Sequence, residues 1–298
     1  MTVPAPAPVS SASEPAPRTA REMLERGRQF LERKGLEGAR REAELLVAHA
    51  LGLDRLRLFL SLDRPLAPEE IVRGRELLVR RAGREPATYL IGQREFYGRP
   101  FAVDREVLIP RPDTEILVDR ARALLAGREA PRIADLGTGS GCIAITLALE
   151  LPGAHVVASD RSAAALERAR GNGVSLGATV EWRAGDGPAA VAGDGPFDLV
   201  TMNPPYVDPA VRDTLAPEVR DHEPALALFA PAGDPDHWVR RLLSEVPPLL
   251  ASGGFLLVEL GHDQAGRLPG LLEPGGLPWR VEPDLEGHAR VLEVGPTP

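Results

Sequence analysis

The chain has 298 residues, of which 43% are hydrophobic and 26% charged, enough for two modest domains with a sizeable buried core. One cysteine rules out an internal disulfide and fits a reducing compartment; with no run of membrane-spanning length and no charged start followed by an apolar core, a cytoplasmic protein without membrane contact is expected. The net charge of −8 is uneven, with 18 basic against 14 acidic residues over 1–100 and 17 against 29 over the rest, so the acidic part argues against direct nucleic-acid contact.

Residues 1–18 are rich in Pro, Ala and Ser, a composition that cannot bury enough surface to offset ordering, and a disordered tail is expected. From Thr19 to about Gly83, apolar residues recur at helical spacing: Met23, Leu24, Phe30 and Leu31, then Leu45, Leu46 and Val47, then Leu77, Leu78 and Val79. Three or four short helices punctuated by Gly52, Pro65 and Pro68 make a small bundle over 19–83. Residues 84–112 read as a connector with a hairpin around Gly98 and Pro100, carrying Phe96, Tyr97 and Phe101. Asp113 or Thr114 is placed to cap a helix over Glu115–Leu125.

The remainder, 113–298, alternates strands with helices. Strands are expected at 132–136, 155–159, 179–183, 197–202, 254–260, 279–283 and 289–294, with helices at 141–151, 162–172 and 236–250. This is the rhythm of an α/β doubly wound sheet ending in an antiparallel hairpin.

Two segments carry chemistry. The first apolar strand runs into Gly137-Thr138-Gly139-Ser140-Gly141 and then an apolar helix, a turn whose glycines admit close approach of a ligand to the backbone. The second strand ends at Asp160, placed to bind ribose hydroxyls. A dinucleotide fingerprint wants glycine where Cys142 stands, so the turn suits S-adenosylmethionine, which has a ribose but no pyrophosphate. Trp182 either packs on the adenine or fills the core. Cys142 reads as a small apolar filler, and Arg111 either points into the cofactor site or packs in a joint.

The second segment is Asn203-Pro204-Pro205-Tyr206, at the end of the buried strand 197–202. A carboxamide and a backbone carbonyl from the rigid proline pair can accept both hydrogens of one NH2 group while the ring of Tyr206 covers its flat face. The nitrogen lone pair is then aimed at an electrophile. His222, His237 and His262 lack metal-ligand spacing, and no metal is expected.

From about Glu85 onward the chain resembles the HemK-type protein-(glutamine-N5) methyltransferases that modify peptide-chain release factors. The matching residues are Tyr89-Leu90-Ile91-Gly92, Glu95-Phe96-Tyr97-Gly98 and Val107-Leu108-Ile109-Pro110-Arg111-Pro112-Asp113-Thr114-Glu115, then the glycine turn after Asp135-Leu136 and Asn203-Pro204-Pro205-Tyr206. Glu223-Pro224-Ala225-Leu226 and Glu259-Leu260-Gly261-His262-Asp263-Gln264 complete the match. The Asn-Pro-Pro-Tyr element alone is shared with methyltransferases of nucleic-acid amino groups. The segment Phe229 to Trp238 departs from the family's glycine-rich turn at the expected substrate mouth, and Asp113 stands where Glu is common.

The resemblance implies a class I S-adenosylmethionine-dependent methyltransferase fold, with 19–83 as a substrate-recognition domain and 113–298 as the catalytic domain. It implies methyl transfer to the amide nitrogen of the glutamine in the Gly-Gly-Gln motif of class 1 release factors by a monomeric enzyme. Catalytic roles fall on Asn203, Pro204 and Tyr206, and acceptor binding on these with Pro205. Cofactor binding falls on Gly137, Thr138, Gly139, Ser140, Gly141, Asp160, Trp182 and Asn203. A ribosomal-protein glutamine, a nucleic-acid amino group and a non-enzymatic cofactor-binding adaptor stay open as alternatives.

Overall fold

The computed structural model describes residues 16–272, 276–284 and 286–297, so the expected tail lies outside the described residues up to position 15. The chain divides into two compact units, one ending at Ile91 and the other beginning at Gly92.

The first unit is helical: α1 (Ala20–Arg33), α2 (Ala39–Ala50), α3 (Arg55–Leu60), α4 (Pro68–Ala82) and α5 (Ala87–Ile91). Its starts follow capping chemistry. Thr19 accepts from the Glu22 amide at 3.2 Å, and the Glu22 carboxylate accepts from the amide of Arg18, the residue before the cap, at 2.8 Å. Asp54 caps α3 through the Arg57 amide at 2.7 Å. Leu31, Leu46, Leu78 and Leu90 form one apolar cluster, and Met23, Val47 and Leu58 a second. Helix α5 occupies residues expected as connector; its five residues are too few to show a helical period.

The second unit opens with the hairpin β1 (Gln93–Phe96) and β2 (Arg99–Ala102), joined by Tyr97 and Gly98, both at positive φ (51° and 70°) as a two-residue hairpin turn requires. Phe96 and Phe101 meet edge to face with centroids 6.0 Å apart. A 3-10 turn at Pro112–Thr114 leads into α6 (Glu115–Leu124). Neither expected cap forms there: Thr114 makes no side-chain cap bond, its hydroxyl accepting instead from Asn203, and Asp113 pairs with Arg290 at 3.0 Å.

Then follow β3 (Arg132–Leu136), α7 (Cys142–Glu150), β4 (His155–Asp160), α8 (Ala163–Leu176), β5 (Glu181–Ala184) and β6 (Phe197–Met202). The chain continues through α9 (Pro217–His222), α10 (Ala225–Leu228), α11 (His237–Glu245), β7 (Leu250–Glu259), α12 (Leu268–Leu272), β8 (Trp279–Pro283) and β9 (Ala289–Val294). Helix α11 is shorter than the expected 236–250 because Pro247 and Pro248 stop it, and β7 begins at once.

The seven strands form one sheet in the order β5-β4-β3-β6-β7-β9-β8; β3 to β7 run parallel, and β9 lies antiparallel to both β7 and β8. Strand β3 is buried at every position after its first, as a central parallel strand covered on both faces must be. Its two neighbours, β4 and β6, are reached by crossovers in opposite directions. The carboxyl ends of β3 and β6 therefore flank a topological switch point, where open α/β sheets bind ligands. The fold is the doubly wound α/β class with an N-terminal helical unit.

Candidate active site

Leu136 and Met202 are register partners at the ends of β3 and β6, so the glycine turn and the Asn-Pro-Pro-Tyr segment leave the sheet side by side. They share a cavity of about 490 Å³. Gly137, Thr138, Gly139, Ser140, Asp160, Asn203 and Pro205 line it; Gly141, Pro204, Tyr206 and Trp182 do not.

The turn is held from below. Asp135 takes the Thr138 hydroxyl at 2.6 Å on one oxygen and the Thr201 hydroxyl at 2.8 Å on the other, tying β3, the turn and β6 together. Complete burial pushes the Asp135 carboxyl up to about 6, against the pull of those two hydroxyls. Gly141, at φ 82°, closes the turn where a Cβ would stand 2.8 Å from Ile145 Cδ1 and 3.2 Å from Ala169 Cβ, so a side chain there would be strained. Asn172 of α8, 2% exposed, donates to the Ser140 carbonyl at 2.8 Å and makes two bonds with the backbone of Ala102, linking hairpin to turn.

Asp160 accepts from the Gly139 amide at 2.9 Å and the Ser162 amide at 2.8 Å. Burial raises its pKa, opposed by these backbone donors, and it keeps acceptor capacity on the cavity side. Beyond it, Gly185, Asp186 and Gly187 line the cavity, with Asp186 bound to Arg241 at 2.6 Å. Arg241 lies 4.9 Å from the centroid of the Trp238 ring. Trp238, His237, Phe229, Ala230 and Pro231 place the atypical 229–238 segment in the cavity wall. Main-chain bonds from Val207 to Leu228 and from Ala230 to Val207, each 3.0 Å, lace that wall to the residue after Tyr206.

Trp182 lies elsewhere. Its ring meets helix α8 at Gly173, where a Cβ would be 3.3 Å away, and it packs beside the core cluster of Ile145 and Ala158; of the two readings of this residue, the geometry favours core. Cys142 is buried and lines the cavity, and burial pushes its thiol up to about 12. His237 reaches the cavity with Asp234 at 3.7 Å, although nothing in the sequence separated it from His222 and His262.

On the acceptor side, the Asn203 amide Nδ2 donates to Thr114 Oγ1 at 3.3 Å. Among the described residues no donor reaches Asn203 Oδ1, and the side chain lines the cavity. Tyr206 packs on Gly261, and burial pushes its hydroxyl up to about 12. Arg111, which sequence left between cavity and joint, does both: it lines the cavity and donates to Glu223 at 2.6 Å. Glu223, 6% exposed, also accepts from the Ile109 amide at 3.2 Å, joining two of the sequence motifs. Glu259, at the end of β7, lies beneath Asn203 and Thr114, 4% exposed. Among the described residues no helix is long and apolar enough to cross a membrane, and no cluster of metal-ligating side chains occurs.

Residues 22–92 match the PrmC N-terminal domain and residues 113–219 the methyltransferase small domain. Among curated relatives, the release factor glutamine methyltransferase of Geobacter sulfurreducens is 43% identical over 258 residues, 87% of this chain and 89% of that one. That of Chlorobaculum tepidum is 44% identical over 261 residues, covering 84% and 88%. Among solved structures, the hMettl16 catalytic domain shares the fold with a TM-score of 0.54 at 18% identity, over 75% of this chain and 84% of that one. With this similarity spanning both units, the chain is a methyltransferase and belongs to the release factor glutamine methyltransferase family.

Proposed function

We propose that this chain methylates the side-chain amide nitrogen of the glutamine in the Gly-Gly-Gln motif of class 1 release factors, with S-adenosylmethionine as donor. The observation that carries the reading is the Leu136–Met202 register, which sets the glycine turn and Asn203 at one cavity. The chemistry of the donor set fits the cofactor: Asp160 offers a carboxylate to ribose hydroxyls, the open backbone at Gly139 admits close approach, and Gly185 and Gly187 line the cavity beyond it. When bound there, S-adenosylmethionine supplies an electrophilic methyl carbon on a sulfonium.

An amide nitrogen is a poor nucleophile because its lone pair is delocalised into the carbonyl. Asn203 Oδ1 and the Pro204 carbonyl accept its two hydrogens, and Tyr206 supports the flat face of the amide. Orientation of this kind can be worth roughly 7 to 11 kcal/mol at best. No strong base is required beforehand, since the proton becomes acidic as the new N–C bond forms. The helical unit over 19–83 serves substrate recognition, and the catalytic part over 113–298 acts as a monomer in the cytoplasm. Residues 84–112 connect the two.

The test is mass spectrometry of a recombinant release factor incubated with the protein and isotopically labelled donor. A labelled methyl on the glutamine of the Gly-Gly-Gln peptide supports the assignment. No gain on that peptide, or methylation confined to a ribosomal protein or a nucleic acid, overturns it.

A further inference from the structure

Glu259 is a carboxyl group at the end of a strand whose four last residues are all buried, an expensive place for a charge unless it has a task. Its Oε2 makes no hydrogen bond of standard geometry, yet the Thr114 hydroxyl and the Asn203 carboxamide both face the group and favour its charged form. Thr114 is itself 2% exposed, and its oxygen already accepts from Asn203 Nδ2 at 3.3 Å, so its own proton is free for the carboxylate. Thr114 and Asn203 thus both face the carboxyl group, and Asn203 Nδ2 also donates to Thr114 Oγ1.

A carboxamide has two similar ends, and nothing in its shape tells N from O. The acceptor amide needs the oxygen end; an Asn203 turned over would present two hydrogens to two hydrogens. Only a fixed acceptor behind the NH2 group selects the useful orientation. We propose that Glu259, acting through Thr114, is a positioning residue that holds the Asn203 carboxamide with Oδ1 toward the acceptor; this inference rests on the proposed glutamine methylation.

The same geometry makes the orientation sensitive to protonation. Burial pushes the Glu259 carboxyl up to about 7, opposed by Thr114, Arg290 and Asn203 and reinforced by Asp113. Tyr206 and Cys142 also face it, each raised to about 12 and therefore neutral near 7, and Arg290 is paired with Asp113 at 3.0 Å. Protonated Glu259 becomes a donor, and the preference for one Asn203 orientation is lost. Turnover should therefore fall as pH drops through about 7.

The experiment compares wild type with Glu259→Gln, Thr114→Val and Thr114→Ser. Turnover should drop about tenfold in Glu259→Gln and Thr114→Val, with donor affinity and release-factor KM within about twofold, and Thr114→Ser should restore it. The acid limb near 7 should vanish in Glu259→Gln. Wild-type turnover in Thr114→Val, or an unchanged acid limb in Glu259→Gln, overturns the proposal. A second readout needs no activity: the side-chain amide resonances of Asn203, identified by their loss in Asn203→Ala, should titrate with a midpoint near 7 in wild type and Thr114→Ser but not in Glu259→Gln. Resonances flat with pH in wild type sink the positioning role, whereas an inactive wild type whose resonances titrate sinks the glutamine-methylation reading alone.

Discussion

Gly261 lies under the ring of Tyr206: a Cβ on residue 261 would stand 2.7 Å from Tyr206 Cδ2 and 3.1 Å from Cγ. Real contacts do not get that close, so the ring sits where it does because residue 261 has no side chain. Gly261→Ala should lift the ring into the acceptor position and lower turnover by about tenfold, leaving donor affinity nearly unchanged. Steady-state kinetics beside calorimetric titration of the donor would check this; unchanged turnover would separate the ring from the chemistry.

Asn203→Ala removes one of the two proposed acceptors for the substrate amide. Turnover should fall by about a hundredfold, with donor affinity altered only modestly. A variant that instead loses donor binding would show that Asn203 chiefly holds the cofactor.

The Arg111–Glu223 pair joins two segments 112 residues apart, with the carboxylate side chain 2% exposed and the guanidinium 36% exposed. Glu223→Ala leaves the Ile109 amide and the Arg111 guanidinium without this partner, and the second unit should lose about 2–4 kcal/mol, tempered by the solvent around Arg111. All three tryptophans, Trp182, Trp238 and Trp279, belong to that unit, so urea denaturation followed by tryptophan fluorescence reports it alone. No shift in the midpoint would mean that the pair is worth little.

Asp135 gives a signed pH effect. Its carboxyl, near 3.8 when exposed, sits at about 6 in the fold, so the native protein holds the proton more tightly than the unfolded chain. Its contribution to stability is present in full below about 4 and is lost as pH rises to about 6, by an amount on the order of 3 kcal/mol. Asp135→Asn removes that slope. Denaturation midpoints of the two proteins across pH 4 to 7 should diverge in this sense; parallel curves would contradict it.

The elements legible from sequence were those whose signal is contiguous. The glycine turn, Asp160 and Asn203 each end an apolar strand, and the sheet carried them to one cavity with no further instruction. Ser or Thr before a helix usually caps it, but Asn203, 89 residues away, competes for the Thr114 hydroxyl. Glu223 and Glu259 appeared only as letters of a motif. A carboxylate closing the apolar run Phe255 to Val258 was a usable sign, of the same kind as Asp160, but its partners are assembled by tertiary contacts. Short helices such as α9 and α10 offer too few residues for a period.

Asn172 serves three backbone groups with one carboxamide, and its consequence reaches outward. Sequence change at the open end of the hairpin, where Ala102 pairs with Gln93, is mechanically wired to the glycine turn proposed to hold the donor. If the turn holds the donor as proposed, a change there would surface as altered donor affinity rather than as a broken fold.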